Sequence, residues 1–443
     1  METSGRKESR LNRRTFLAGA AGAGFAAPYV VCANALGRGA APAASERITM
    51  AAIGVGGQGT NDTRALLNDS RVQYVAVCDV QTKLADRARQ IVAEHYGRGG
   101  RAGGCDVYSD FRKIIERDDI DAVNIATPDH WHAIMAVHAA RSGKDIYCQK
   151  PLALTVEQGR RMAQAVQRYG VVFQTGTQQR SEERFRRACE LVRNGRIGKV
   201  HSVEVEVPGS QACDGYYEDP VPDGFDYDMW LGPAPDAPFA YKRVDRFGWR
   251  WIFDYAGGCV TDWGAHHIDA AQWGLGTTLT GPVEFEGEAV YPSRGMYNTA
   301  LHWRYNCVYK NGVRLTCFAK DELRLPHFPN GVKFIGEDGW VYVYRGGLDA
   351  EPKSVLQEKI GPDETHLYAS TDHYRNFIDC VISRQTPAAT VEEAHRSLTV
   401  CHLANIAMRL KCRVKWDPDT ERIVDNDAAA RMLTRAIRPP WRL

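Results

Sequence analysis

Six residues, Gly54-Val55-Gly56-Gly57-Gln58-Gly59, constrain the fold of this chain more than any other stretch. They follow a short β-rich run, Ile48 to Ile53, and precede a helical segment that carries Ala65, Leu66 and Leu67. At a strand-to-helix turn, Gly54 permits the tight bend and Gly56 lets the backbone approach a pyrophosphate. The N-terminus of the following helix stabilises the same negative charge. A second apolar run, Val72 to Val77, ends at Asp79, twenty residues beyond Gly59. A carboxylate there accepts hydrogen bonds from a ribose 2′-hydroxyl and repels a 2′-phosphate, so NAD is favoured over NADP. A glycine loop alone is weak evidence; flanked by strand, helix and acid it is not.

The alternation continues. Ala122 to Ala126 reads as a buried strand, followed by Thr127-Pro128-Asp129-His130-Trp131-His132 and a helix through Ala140. Asp145 to Cys148 is another strand and runs into Gln149-Lys150-Pro151-Leu152. Strand and helix in turn predict a doubly wound parallel sheet. Ligands of such sheets lie beyond the carboxyl ends of the strands, where Thr127, His132 and Lys150 fall.

Far downstream, Gly257-Gly258 leads into Cys259-Val260-Thr261-Asp262-Trp263-Gly264-Ala265-His266-His267-Ile268-Asp269. A helix from about Thr261 sets Asp262 and His266 side by side, with Asp269 on nearly the same face. A carboxylate touching an imidazole can take a proton from a hydroxyl near neutral pH. The same residues also fit a capped helix with a core histidine and Asp262 near the helix dipole. They do not suit a metal, because His267 points about 100° away from His266 and the four groups would not converge.

The glycine loop, Thr127-Pro128 with His132, Lys150-Pro151-Leu152, Gly257-Gly258 and Asp262-x-x-x-His266 together resemble the Gfo/Idh/MocA family, from about Ile48 to Cys412. The resemblance implies an NAD-dependent oxidoreductase acting on CH-OH groups, with Lys150, Asp262 and His266 in the catalytic positions. It also implies that Gly54, Gly56, Gly59, Asp79, Thr127 and Lys150 border the dinucleotide, with Val55, Gly57, Gln58, Pro128 and His132 beside them. One departure stands out: the family usually has glutamate before the lysine-proline pair, and this chain has Gln149.

At 443 residues the chain is long enough for two domains. The expected fold is an N-terminal Rossmann domain, a doubly wound parallel sheet over residues 46–170. A second domain over residues 171–412 carries a large, mostly antiparallel open sheet, because Val200 to Val207 alternates and Val308 to Ala319, Val332 to Ile335 and Trp340 to Tyr344 are β-rich. Two helices, Asp372 to Ser383 and Val391 to Lys411, close this region, and residues 413–443 form an arm that could pack on a neighbouring subunit of a homo-oligomer. A net charge of +2 gives no reason to propose nucleic acid or an anionic membrane as partner. Residues 1–45 resemble a twin-arginine export signal and linker: Arg13-Arg14 precedes an Ala/Gly-rich apolar run and the small-x-small site Ala33-Asn34-Ala35. A periplasmic protein with no membrane attachment is expected. The twelve cysteines form no C-x-x-C pair and sit in apolar surroundings, as small buried hydrophobes do.

The substrate expected is a carbohydrate or cyclitol. His266, oriented by Asp262, would take the hydroxyl proton, while Lys150 stabilises the developing alkoxide or itself acts as base. Trp230 and Arg250 lie in a stretch rich in Trp, Arg and Asp that suits a sugar, and His267 neighbours the proposed base. Free NAD is scarce outside the cytoplasm, so an exported enzyme should retain its cofactor. Retention admits redox-neutral chemistry, a glycosidase, lyase or epimerase working through a transient keto sugar. A non-catalytic sugar-binding protein is a further alternative, for which Gln149 speaks.

Overall fold

Short runs of buried apolar residues pair in parallel as the alternation predicts. They are β1 (Ile48–Ile53), β2 (Val72–Cys78), β3 (Asp106–Tyr108), β4 (Ala122–Ile125), β5 (Asp145–Cys148) and β6 (Phe173–Thr175), in spatial order β3-β2-β1-β4-β5-β6. This is a computed structural model, and it describes residues 42–98, 104–319 and 330–443. The twin-arginine run and Ala33-Asn34-Ala35 lie outside the described residues. Arg47–Leu443 form one unit. β4 and β5 are buried at every position, as a sheet covered on both faces requires. The order reverses between β1 and β4, which opens a crevice at their carboxyl ends.

The connecting helices are α1 (Gly57–Leu67), α2 (Thr82–Arg98), α3 (Phe111–Ile115), α4 (Asp129–Arg141) and α5 (Val156–Tyr169). Their ends follow local chemistry. Thr155 caps α5 by accepting the Gln158 N–H, and Gly170 ends it in the left-handed region at φ 65°. The domain runs past the expected boundary at residue 170, because β6 joins the sheet beside β5. A three-residue strand has too little pattern to declare itself.

The second sheet has nine strands: β7 (Val200–Val207), β8 (Glu284–Val290), β9 (His302–Val308), β10 (Arg314–Ala319), β11 (Gly331–Gly336), β12 (Gly339–Tyr344), β13 (Gly347–Glu351), β14 (Val414–Asp417) and β15 (Arg422–Val424). Their order is β13-β12-β11-β7-β10-β9-β8-β14-β15. Every neighbouring pair is antiparallel except β7 and β10. α6 (Glu183–Arg193), α7 (Cys259–Asp262), α8 (Gly264–Leu275), α9 (His373–Ser383) and α10 (Val391–Leu410) pack around the two sheets. α10 opens with a capping box between Thr390 and Glu393. α9 belongs to the first domain's core, since Phe377, Ile378 and Val381 cluster with Leu66, Tyr74 and Tyr147.

The tail corrects the expected arm. β14 and β15 extend the large sheet, and the residues beyond them fold back on their own chain. The Trp441 ring lies 4.7 Å from that of Trp131 on α4, with Arg112 5.2 Å above it. Arg438 donates to Gly232 O and Asp228. A large apolar ring is covered by the nearest apolar surface, here α4 of the same chain. Nine of the eleven described cysteines are buried and all eleven are free. No helix among the described residues is long and apolar enough to cross a membrane.

Candidate active site

A cavity of about 560 Å³ occupies the crevice. Gly54, Gly56, Gly57, Gln58, Asp79, Thr127 and Pro128 form one wall, and Trp230, Arg246, Trp249 and Arg250 of the second domain form the other. Glycine is required in the loop for different reasons at different places. A Cβ on Gly59 would lie 1.9 Å from the Gly54 carbonyl, and one on Gly54, at φ +79°, would lie 2.8 Å from Thr127 N. A Cβ on Gly56 would meet nothing within 4 Å, so this residue fronts the open cavity. The N-cap of α1 carries no side-chain hydrogen bond and its first turn no acid, which leaves its amides for an anion.

Asp79 receives the Val55 and Gln81 N–H groups, each at 2.9 Å. Burial pushes its pKa up to about 6 against the pull of those bonds. Each oxygen keeps a lone pair for a ribose hydroxyl. The open glycine, the uncapped helix and the acid together fit a dinucleotide.

Val55 and Gly59 shape this turn without lining the cavity: the Val55 side chain is buried, and Gly59 is a packing glycine. His132 is likewise a positioning residue and not a wall of the cleft. Its ring nitrogens lie 2.8 Å from the Pro151 and Thr127 carbonyls, so it ties the turn after β4 to the turn after β5.

Lys150, at the end of β5, reaches across to the second domain. Its Nζ donates to Asp262 Oδ1 at 2.7 Å and to the Asp262 carbonyl at 3.2 Å. Arg250 Nε lies 3.6 Å from the same Oδ1. Burial alone would raise the Asp262 pKa, but the Lys150 and Arg250 cations hold it below the ordinary carboxylate value. The expected Asp262–His266 pair does not form. The helix is interrupted at Trp263: Asp262 ends α7, α8 starts afresh at Gly264, and a Cβ on Gly264 would lie 2.7 Å from Cys401 Sγ on α10. Asp262 therefore positions Lys150, and His266 stands apart with its Nδ1 buried and unpartnered among the described residues. Burial holds the His266 pKa well below its usual value, and the Lys150 and Arg345 charges press the same way. The ring is neutral, and Lys150 is close enough to act on it. None of the three lines the cavity; Arg250, which does, links Asp262 to it and, through Asp262, Lys150.

Of the residues considered for substrate, His267 is excluded. It is 0% exposed, stacked between Phe185 and Trp263, on the side of α8 that faces α6. Trp230 lines the cavity, but its ring is largely committed to packing on Tyr227, Tyr255 and His130. Asp269 is bound by Arg180 and Ser397 in the interior.

Gln149 has a clear use. Its amide donates to both oxygens of buried Asp62, at 3.1 and 2.9 Å, beside donors from Gln58 and Tyr374 at 2.8 Å each. A glutamate here would set a second carboxylate on the first. The acid that the sequence lacks at 149 is thus present behind it, with its pKa raised by burial to about 6.

Two residues went unassigned. Asp129, within the Thr127-Pro128-Asp129 turn, is 2% exposed with Oδ1 unpartnered among the described residues. Burial first, and the Asp262 charge second, push its pKa to about 8. Arg246 lies in the Trp- and Arg-rich stretch already noted, where composition alone does not say which arginine faces the cleft.

Comparison with known proteins agrees with the two-sheet fold and the dinucleotide crevice. Residues 48–177 match the profile of the Gfo/Idh/MocA oxidoreductase family NAD-binding Rossmann fold, and residues 211–443, more than half the chain, that of the family's C-terminal alpha/beta domain. The chain is similar to myo-inositol 2-dehydrogenase of Thermotoga maritima, 28% identical over 82% of this chain and 97% of that one. It is similar to 2,7-anhydro-N-acetylneuraminate hydratase of Mediterraneibacter gnavus, 31% identical over 34% of this chain, spanning only 37% of that relative's length. Among solved structures, the WlbA dehydrogenase of Bordetella pertussis has the same fold, with a TM-score of 0.60 and 19% identity over 84% of this chain and 99% of that one.

Proposed function

As the chain belongs to the Gfo/Idh/MocA oxidoreductase family, with its NAD-binding Rossmann fold and C-terminal α/β domain, we propose that it oxidises or reduces a carbinol of a sugar or cyclitol with a retained NAD. The observation that carries this reading is the Lys150–Asp262 contact at 2.7 Å, which joins the two domains beside the cavity next to a neutral His266. A bound nicotinamide supplies the hydride acceptor or donor. The chain's residues manage the proton and the oxygen. An ammonium has three donors, and Asp262 takes two from Lys150. The third is free to hydrogen-bond a substrate oxygen and stabilise negative charge as it develops there. His266, neutral through burial, accepts the hydroxyl proton. The cation pair of Lys150 and Arg250 keeps Asp262 ionised, so Lys150 remains in place throughout.

A screen of pyranosides, free sugars and inositols for reduction of the bound cofactor tests this reading. Failure of every carbinol to change its near-ultraviolet absorbance would remove it. The similarity to a hydratase favours a second, redox-neutral reading in which the cofactor is restored within each cycle. Product formation without added NAD and without net reduction separates the two. The order of charge, apolar run and small-x-small site at the N-terminus supports export to the periplasm. Cell fractionation of the full chain against a variant with Arg13 and Arg14 replaced by lysine checks that assignment.

A further inference from the structure

α1 presents the positive end of its dipole to the cleft with no capping side chain and no acid in its first turn. A second positive group points at the same place from the other domain. The Arg246 guanidinium lies 3.1 Å from where a Cβ on Gly57 would stand, beside the first residue of α1. Arg246 is exposed, lines the cavity with Gly56, Gly57 and Gln58, and pairs with no carboxylate among the described residues. A cation set against a helix N-terminus is unfavourable unless an anion lies between them.

The turn that presents Arg246 is fixed. Asp245 accepts the Phe247 and Gly248 N–H groups, and Tyr297 donates to the Lys242 carbonyl at 3.0 Å. A Cβ on Gly248 would lie 1.8 Å from that same carbonyl, so the turn closes tightly. Arg250 Nη1 donates to the Arg246 carbonyl, and its guanidinium stacks 4.2 Å over Trp249, which joins this turn to the Lys150–Asp262 contact through Arg250.

We infer that Arg246 closes over the dinucleotide's pyrophosphate from the second domain, holding it against the α1 amides and slowing its release. The inference rests on the NAD reading, and it supplies a physical reason for an enzyme of this fold to keep its cofactor. A guanidinium suits the task, because its planar fork of donors matches two phosphate oxygens at once.

The test uses the full chain, purified as wild type, Arg246→Ala and Arg246→Lys. Bound NAD is quantified after denaturation, and affinity for NAD, ADP-ribose and adenosine is measured by calorimetry after the cofactor is exchanged out. The alanine variant should weaken NAD and ADP-ribose and speed NAD release by about tenfold or more, as loss of a charged hydrogen bond does. Adenosine affinity should be unchanged, since adenosine carries no phosphate. The lysine variant should recover part of the loss, more at low salt. Wild type that binds NAD, with an alanine variant that releases it at the same rate, overturns the inference and leaves the NAD reading standing. An equal loss of adenosine affinity also overturns it, because the effect would then be one of shape. Wild type that binds neither NAD nor ADP-ribose removes both.

Discussion

Lys150 is held by Asp262, and this decides how the two should fail when replaced. Lys150→Ala should lower the turnover rate by about 10²–10⁴, the range for a lost acid–base or charge-stabilising group. If Asp262 acts through Lys150, Asp262→Asn added to that variant should cost little more. Single-turnover rates of the two single variants and the double variant measure this. Losses that multiply would restore the reading in which Asp262 serves His266 independently. Gln149 gives a second expectation at this scale. Gln149→Glu places a carboxylate against Asp62 and should cost roughly 2–4 kcal/mol at pH 7, with part regained at pH 5 as the pair binds a proton. Denaturant unfolding at the two pH values checks it. The sequence singled out Lys150, Asp262 and His266 as candidates, because short motifs preserve identity and spacing. It did not show who partners whom, since Asp262 is taken by Lys150, 112 residues away, and nothing in the local pattern announces that contact.

Elements carry the glycine argument. Gly59→Ala would drive a methyl into the Gly54 carbonyl, whereas Gly56→Ala points one into empty space. The first should destabilise the protein by roughly 1–3 kcal/mol, as overpacking does. The second should leave the cofactor-free melting temperature nearly unchanged and weaken NAD binding by filling the phosphate approach. Thermal melts with NAD titrations separate them, and equal destabilisation by both would show that Gly56 is also a packing glycine. The strands and helices of the first domain were legible because buried parallel strands read as short apolar runs between turn residues. β6 was not, being three residues long, and β14 and β15 were hidden because short edge strands carry little hydrophobic pattern.

Across the whole molecule, buried titratable groups set a pH optimum for stability. Burial lowers the pKa of His130 and His373 to about 4 and of His267 and His402 to about 3. Unfolded, each takes a proton below about 6.5, so stability is lost as pH falls from there toward 4. Asp129 has the opposite sign. Folded, it keeps its proton up to about 8, while unfolded it gives it up near 4, so stability falls as pH rises through that window. Asp62 and Asp79 share that sign but are fully ionised soon above 6. The urea midpoint should therefore peak near pH 6.5, and Asp129→Asn should flatten its alkaline side and steepen its acid side, since Asp129 opposes the histidines from about pH 4 upward. An unchanged alkaline slope in that variant would assign the loss elsewhere. The two-domain plan was visible at this scale, but the course of the tail was not, because long-range packing leaves no local mark.

That course has a consequence for biosynthesis. Tyr374 reaches Asp62, and Trp441 covers Trp131 in the cleft wall, so the nucleotide-binding half draws pieces from near the opposite terminus. A nascent chain still threaded through the ribosome lacks them. The cleft can mature only after translation has passed Trp441, so the coenzyme is enclosed after these distant segments have been made.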